Sequence, residues 1–171
     1  MGFRGEAIPS IASVSRMEIL TRPAADEVGT KVKVEGGNVL SVTDVGLAAG
    51  TEINVRNLFY NVPVRRKFLR TPPTEMGHCM DVVFKHAMCR PDVSFTLSMD
   101  ERILLKAPVA KDFEARIHQL LGPDGGSLWK AKGEFDDISI SGFISQPSVH
   151  RSSPKNSLFL VVNGRPVRDG I

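Results

Sequence analysis

The sequence predicts a mixed α/β fold of the α+β type, in which an antiparallel strand meander and the longer helices occupy separate stretches of the chain. Two observations carry this prediction. Between residues 16 and 56, apolar and polar side chains alternate in four short runs that are separated by glycine-rich or polar turns. In residues 74–90, by contrast, apolar side chains recur at spacings of three and four, which is typical of a helix with one buried face: Met76, Met80, Val83 and Ala87.

The first half of the chain is predicted to be one helix followed by strands. The helix covers residues 5–14, and Pro9 lies near its first turn, where a missing N–H does least damage. Gly36 and Gly37 mark a tight turn within the meander. The alternating runs place four strands at residues 16–21, 30–34, 39–45 and 51–56.

The second half is predicted to contain three helices, a hairpin and two further strands. Thr71 or Thr74 caps the longest helix, and Arg90-Pro91 ends it. The continuous apolar run at residues 157–162 is typical of a strand that is buried on both faces, and Asn163-Gly164 then turns the chain. The remaining elements are a short helix at 64–70, a hairpin at 93–99 and 103–106, a helix at 113–121 and a strand at 134–145.

Composition places the chain among ordinary globular proteins. It has 171 residues, of which 42% are hydrophobic and 24% charged, with a net charge of +3. This weak basic excess permits a nucleic-acid partner without requiring one. No apolar stretch approaches the roughly 18 residues of a membrane span, and no signal-peptide pattern opens the chain. We therefore predict a cytoplasmic protein that does not contact a membrane.

The two cysteines indicate neither a disulfide framework nor a metal site. Cys79 and Cys89 are ten residues apart in one predicted helix, and we interpret them as reduced, buried thiols. His86 and Cys89 have a spacing that two helical ligands could use, but no further ligand group completes the set. We predict no bound metal in this chain.

The segment Gly2-Phe3-Arg4-Gly5 has the composition of a phosphate-binding loop. Glycines allow positive φ and a close approach of the backbone to a ligand, and the helix that follows directs its free N–H groups toward an anion. Arg4 adds a planar cation that suits phosphate oxygens. Because a tight turn before a helix can look the same, this segment alone leaves a purely structural role open.

Two further segments give the chain a family resemblance. Residues 50–69, which read GTEINVRNLFYNVPVRRKFL, and residues 162–169, which read VNGRPVRD, join residues 2–7, GFRGEA, in a fixed order. The three segments together strongly resemble the MutL family of DNA mismatch repair proteins, which shares the GHKL ATPase fold. The chain departs from the family pattern at Ile8-Pro9, where leucine and a small residue are usual, and at Ile53, where valine is usual.

The resemblance implies a domain organisation and a nucleotide site. Residues 1–108 are expected to form the back half of a GHKL-type α/β sandwich, and residues 109–171 the truncated front of a ribosomal-protein-like βαβ transducer domain. ATP is expected to contact Gly2, Phe3, Arg4 and Gly5, and the hydroxyl of Thr51 lines the same pocket in this interpretation. From composition alone, Thr51 is equally well explained as the first residue of a strand.

The resemblance also implies that catalytic groups lie elsewhere in the parent protein. In the family, the catalytic glutamate, the Mg²⁺-binding asparagine and a DNGxG segment all precede GFRGEA, and no DNGxG occurs in these 171 residues. We expect an internal piece of a weak ATPase that contributes no catalytic residue. ATP and Mg²⁺ are cofactors of the parent, and the piece alone is expected to bind neither well.

The basic residues of the second half are expected to face double-stranded DNA without sequence preference. By resemblance, the candidates are Arg151, Lys155, Arg165 and Arg168, although Gly170 stands where another basic residue is common in the family. Further partners implied are a second copy or a paralogue, bound through the N-terminal region, and a mismatch-recognition protein of the MutS type. The basic run of residues 65–70 is expected to be mostly structural. The implied location is the bacterial cytoplasm, at the nucleoid when on DNA.

Two alternatives remain at this stage. One is a fragment of a type II topoisomerase ATPase, which belongs to the same fold family; the segment LFYNVPVRRKFL argues against it. The other is a complete, non-enzymatic nucleic-acid-binding module, which would fold by itself and show no dependence on nucleotide.

Overall fold

The computed structural model of the chain describes residues 5–122, 128–146 and 158–167. It forms two compact units, Met1–Thr71 and Pro72–Ile171. The predicted mixed α/β fold class is confirmed. The predicted domain limits of 1–108 and 109–171 stay a prediction.

The first unit is a short helix followed by a four-stranded antiparallel sheet. Alternating side chains and tight turns produce the sheet, whose strand order is β3-β2-β1-β4. The central strand β1 pairs with β2 on one side and β4 on the other, so Thr21 lies opposite Thr30 and Thr51. The elements are α1 (Ala7–Ala12), β1 (Arg16–Arg22), β2 (Gly29–Glu35), β3 (Asn38–Val45), β4 (Gly50–Arg56) and a short helix α2 (Pro63–Arg66).

The second unit combines two helices with three separate hairpins. Its elements are α3 (Pro72–Cys89), β5 (Phe95–Met99), β6 (Arg102–Ala107), α4 (Phe113–Leu121), β7 (Leu128–Phe135), β8 (Ile138–Ser145), β9 (Leu160–Val162) and β10 (Arg165–Val167). Ala87, Leu105 and Ala107 form the buried centre, where α3 meets the β5–β6 hairpin. The apolar spacing along α3 is confirmed as its packed face, because Met80 and Val83 contact the same cluster.

Three sequence predictions are corrected in this unit. The strand predicted at 134–145 is two strands, β7 and β8, joined by a turn at Asp136-Asp137. Residue 157 of the strand predicted at 157–162 lies outside the described residues; of residues 158–162, only Leu160–Val162 form a strand, β9, and these three are exposed, not buried on both faces. The cysteines, both predicted to be buried, are not: Cys79 is exposed and Cys89 is partly buried. Burial raises the pKa of the Cys89 thiol.

Candidate functional site

The predicted phosphate loop is described only at its last residue. Gly2, Phe3 and Arg4 lie outside the described residues, so their predicted contacts stay predictions. Gly5 has a φ of +62°, in the left-handed region that favours glycine, and a Cβ built there would meet no atom of the described residues within 4 Å. Glu6 then begins α1 without a side-chain capping hydrogen bond. Within the described residues, no atom therefore crowds the Cβ side of Gly5.

Thr51 lies at the start of β4 and is held by the neighbouring strand. Its hydroxyl is 2.8 Å from the hydroxyl of Thr21, which also lies 3.4 Å from the carbonyl oxygen of Gly50. Because a hydroxyl carries one proton, donation from Thr21 to Gly50 requires Thr51 to donate to Thr21. The arrangement fixes the Thr51 side chain on an exposed sheet position and leaves its oxygen able to accept a further hydrogen bond.

The C-terminal end of α1 is fastened by four hydrogen bonds from two other loops. We call the carbonyls of residues 12–15 the α1 junction. The N–H groups of Gly37 and Gly36, in the β2–β3 turn, donate to Ala12 and Ser15 at 3.0 and 3.1 Å. The remaining two bonds come from the loop after β4: the Phe59 N–H donates to Val14 at 2.7 Å, and the Asn61 side chain to Ser13 at 2.9 Å.

The α1 junction links the loop after β4, which belongs to the long motif at residues 50–69, to the C-terminal end of α1. A helix end leaves carbonyls without partners inside the helix, and these donors satisfy them. The chain reaches the required geometry by placing Asn57 and Phe59 at positive φ, 53° and 62°. Sequence reasoning missed Phe59 and Asn61. Only the Asn-Val-Pro turn signal could have drawn attention to them.

A side-chain cluster packs over the same junction. The Arg16 guanidinium lies 5.1 Å from the centre of the Tyr60 ring and donates from Nε to the Glu35 carboxylate at 3.0 Å. Gly36 has a φ of +58°, and a Cβ there would lie 3.0 Å from the Tyr60 hydroxyl. Gly36 is therefore favoured by its backbone conformation, and a Cβ there would also crowd the Tyr60 hydroxyl.

The basic run after β4 forms an exposed surface next to this loop. Arg65 and Arg66 end α2, where a positive charge is favourable at the helix C-terminus. Lys67 follows them and is also exposed. The expectation that this run is mostly structural is compatible with its position directly after the loop that contacts the α1 junction.

The predicted DNA-contacting set is described at one position. Arg165 is exposed and follows the turn that joins β9 and β10, where Asn163 and Gly164 have φ values of 50° and 74°. Arg151, Lys155 and Arg168 lie outside the described residues. The structure therefore does not test whether these four side chains share one surface.

No metal-binding group is found in the part of the chain that the structure describes, where no three His, Cys, Asp or Glu side chains are arranged around a common point.

In the same described residues, no helix is long and apolar enough to cross a membrane.

Comparison with known proteins points to one family. Residues 125–171 match the family model of the DNA mismatch repair protein, C-terminal domain. The DNA mismatch repair protein MutL of Trichlorobacter lovleyi is 44% identical over 171 residues, and that of Geobacter sp. strain M21 is 38% identical over 172 residues. Both alignments cover 100% of this chain but only 28% and 26% of the relative.

Solved structures agree with the sequence comparison. The Aquifex aeolicus MutL ATPase domain complexed with ADP superposes with a TM-score of 0.84 at 30% identity, covering 98% of this chain and 64% of that chain. The N-terminal domain of a DNA repair protein superposes with a TM-score of 0.82 at 25% identity, covering 99% of this chain. These matches favour the mismatch repair interpretation over a topoisomerase. The chain belongs to the MutL family of DNA mismatch repair proteins and spans about 28% of the length of the curated relatives that it matches.

Proposed function

We propose that these residues serve an ATP-binding MutL protein, in which they supply part of the nucleotide site and part of a DNA-binding surface. The observation that supports this most directly is the likeness, over nearly the whole chain, to a MutL ATPase domain whose structure holds ADP. In this proposal, residues 1–108 belong to the ATPase domain and residues 109–171 to the transducer domain.

The nucleotide phosphates would lie against residues 2–5, and the hydroxyl of Thr51 would line the same pocket. Gly5 supports this placement because its backbone is left-handed and no atom of the described residues lies within 4 Å of its Cβ position. The α1 junction supports it as well, since its hydrogen bonds hold the C-terminal end of the helix that follows the proposed loop. Arg4 would supply a charge-assisted contact to phosphate oxygens.

No group of His, Cys, Asp or Glu side chains among the described residues could hold the Mg²⁺ expected in the parent protein. We therefore assign no residue of this chain to it. When bound with ATP, such an ion would neutralise phosphate charge. The contribution proposed for this chain is confined to holding the phosphates.

In the whole protein, we propose that ATP binding drives dimerisation of the N-terminal region and that the dimer closes around DNA. A MutS-type protein would deliver the signal that a mismatch has been found, and the protein would work in the bacterial cytoplasm. These proposals rest on family membership and on the mismatch repair role for which its relatives are named.

Thr51→Val tests the nucleotide site with little change in side-chain shape. In a full-length MutL protein that contains these residues, we expect binding of a non-hydrolysable ATP analogue, measured by titration calorimetry, to weaken by about 2- to 12-fold. That range corresponds to the loss of one hydrogen bond worth about 0.5–1.5 kcal/mol. Thr21→Val is the matched control, because it removes the paired hydroxyl on β1 while the Thr51 hydroxyl stays in the chain.

The results separate two kinds of failure. If Thr51→Val binds the analogue as tightly as the unchanged protein, Thr51 does not belong to the site. If the unchanged protein binds no analogue at all, the proposed function itself is wrong.

DNA binding is proposed to occur through phosphate contacts from the basic residues of the second half. Arg165 supports this, because a tight turn presents it on an exposed hairpin. No aromatic side chains are interleaved with Arg151 and Lys155 in the sequence to stack on bases. Contacts of this kind position a protein on a duplex without reading its sequence.

The salt dependence of binding tests this surface. Changing Arg151, Lys155 and Arg168 together to alanine should lower the slope of log K against log salt concentration by at most about one unit per residue. Fluorescence anisotropy with two unrelated duplexes over a salt series measures the slope, in a full-length protein. A triple alanine change at residues 65–67 is the matched control. Equal slopes for the unchanged protein and the first triple variant would place the DNA path elsewhere.

A further inference from the structure

Arg116 is a charged residue in the middle of α4, yet its side chain is completely buried, at 0% exposure. One terminal nitrogen donates to the carbonyl of Ala107 at 3.0 Å. The other lies within hydrogen-bonding distance of three carbonyls, those of Arg90 at 3.3 Å, Pro91 at 3.0 Å and Val93 at 2.6 Å. A single side chain therefore holds four backbone oxygens.

These four oxygens belong to two parts of the fold. Ala107 is the last residue of β6, whereas Arg90, Pro91 and Val93 connect the end of α3 to β5. The N–H of Ala110 adds a backbone hydrogen bond of 2.8 Å to Pro91. Arg116 thus joins α4 to the last residue of β6 and to the connection between α3 and β5.

The charge of Arg116 is met by the dipoles of backbone carbonyls and by the negative charge of the nearby Asp92. Within the described residues, no carboxylate accepts a hydrogen bond from it, and Asp92 instead takes two bonds from Arg90 at 2.8 and 2.6 Å. The carbonyls at a helix C-terminus carry partial negative charge, and α3 ends at this point. Burial lowers the pKa of Arg116, but a guanidinium in proteins stays protonated. The fork shape of its donors suits several acceptors at once.

The connection between β6 and α4 is held in place by burial and by a helix cap. Ala107 and Ala110 are buried, at 0% and 8% exposure. The Asp112 side chain caps α4 by accepting from the N–H of Ala115 at 2.8 Å. Both ends of this short connection are therefore fixed, and Arg116 closes the contact from the helix side.

We propose that Arg116 locks α4 onto α3, β5 and β6, so that residues 72–121 move as one rigid body. The predicted domain limit at 108/109 is then a boundary in the sequence and not a hinge. Any movement of the β7–β8 hairpin relative to this body takes place after α4. The proposal goes beyond the proposed function and does not depend on nucleotide or DNA binding.

Hydrogen exchange measured by mass spectrometry in a full-length MutL protein containing these residues tests the proposal. In the unchanged protein, we expect amides of α4, β6 and the C-terminal turns of α3 to become exchangeable together as denaturant is added, as one cooperative unit. If α4 opens at a clearly lower denaturant concentration than β6, the proposal is overturned. This measurement needs no variant, so it decides the question even if a variant fails to fold.

Variants at Arg116 test whether this side chain is what holds α4 in the rigid body. Arg116→Met keeps the length and removes the donors, and we expect exchange in α4 and at the end of β6 to rise about tenfold or more. Arg116→Lys keeps the charge but not the fork, and should give an intermediate rise. Arg102→Met, at an exposed arginine on β6, is the matched control and should leave α4 unchanged. Equal exchange in the Arg116→Met and Arg102→Met proteins would overturn the proposal.

Discussion

Replacing Gly29 by valine is expected to destabilise the sheet of the first unit by about 1–3 kcal/mol, the usual cost of overpacking a closed site. Gly29 is buried at the start of β2. A Cβ there would overlap the Leu47 side chain and would lie 3.0 Å from the carbonyl oxygen of Thr21 and 3.1 Å from that of Val45. Leu47 can rotate away, but the two carbonyls belong to paired strands and cannot move without distorting the sheet.

The distortion would reach the proposed nucleotide site through Thr21, whose hydroxyl pairs with that of Thr51. We therefore expect Gly29→Val to lower the midpoint of thermal unfolding of the full-length protein and to weaken binding of the ATP analogue as well. Gly46→Val is the matched control, because a Cβ at that exposed glycine would meet no atom within 4 Å. Equal unfolding midpoints for the two variants would contradict the packing argument.

The strands of the first unit could be predicted from sequence because their signal is local. Alternating side chains between glycine-rich turns placed β1 to β4 to within about two residues of their observed ends. The first strand of the β7–β8 hairpin was not predicted, because residues 128–135 mix Trp129 with lysines and glycine, which hides the alternation of apolar and polar side chains. Its turn also lacks the usual Asn-Gly or Asp-Gly pair: Asp136 adopts a φ of 48° before a second aspartate.

The candidate site could be predicted only in part, because half of it consists of backbone groups. The glycines and Arg4 of the phosphate loop have a recognisable composition, whereas the carbonyls of the α1 junction could be any residues. The buried Arg116 was hidden for a related reason. Its four acceptors are backbone oxygens contributed by residues 9 to 26 positions away, so no charged partner in the sequence indicates that it is buried.

The phosphate loop itself gives the other large expected effect. In a full-length MutL protein containing these residues, Arg4→Ala should weaken binding of a non-hydrolysable ATP analogue by about 10- to 150-fold, since a hydrogen bond to a charged group contributes about 1.5–3 kcal/mol. Dimerisation that depends on the analogue, measured by size-exclusion chromatography, should fall with it. Folding should change little, because Arg4 is proposed to contact the ligand.

Gly5→Val should have a comparable effect for a different reason, since a branched side chain would block the close approach of the phosphates to the backbone. Valine at positive φ is also strained in the protein itself, and this cost must be separated from the loss of ligand contact. Gly122→Val is the matched control, because Gly122 also has a positive φ, +60° against +62°, and a Cβ at either position meets no atom of the described residues within 4 Å, but Gly122 ends α4. We expect both valine variants to lose stability and only Gly5→Val to lose dimerisation. If the two variants dimerise equally well with the analogue, or if Arg4→Ala dimerises like the unchanged protein, residues 2–5 do not hold the phosphates.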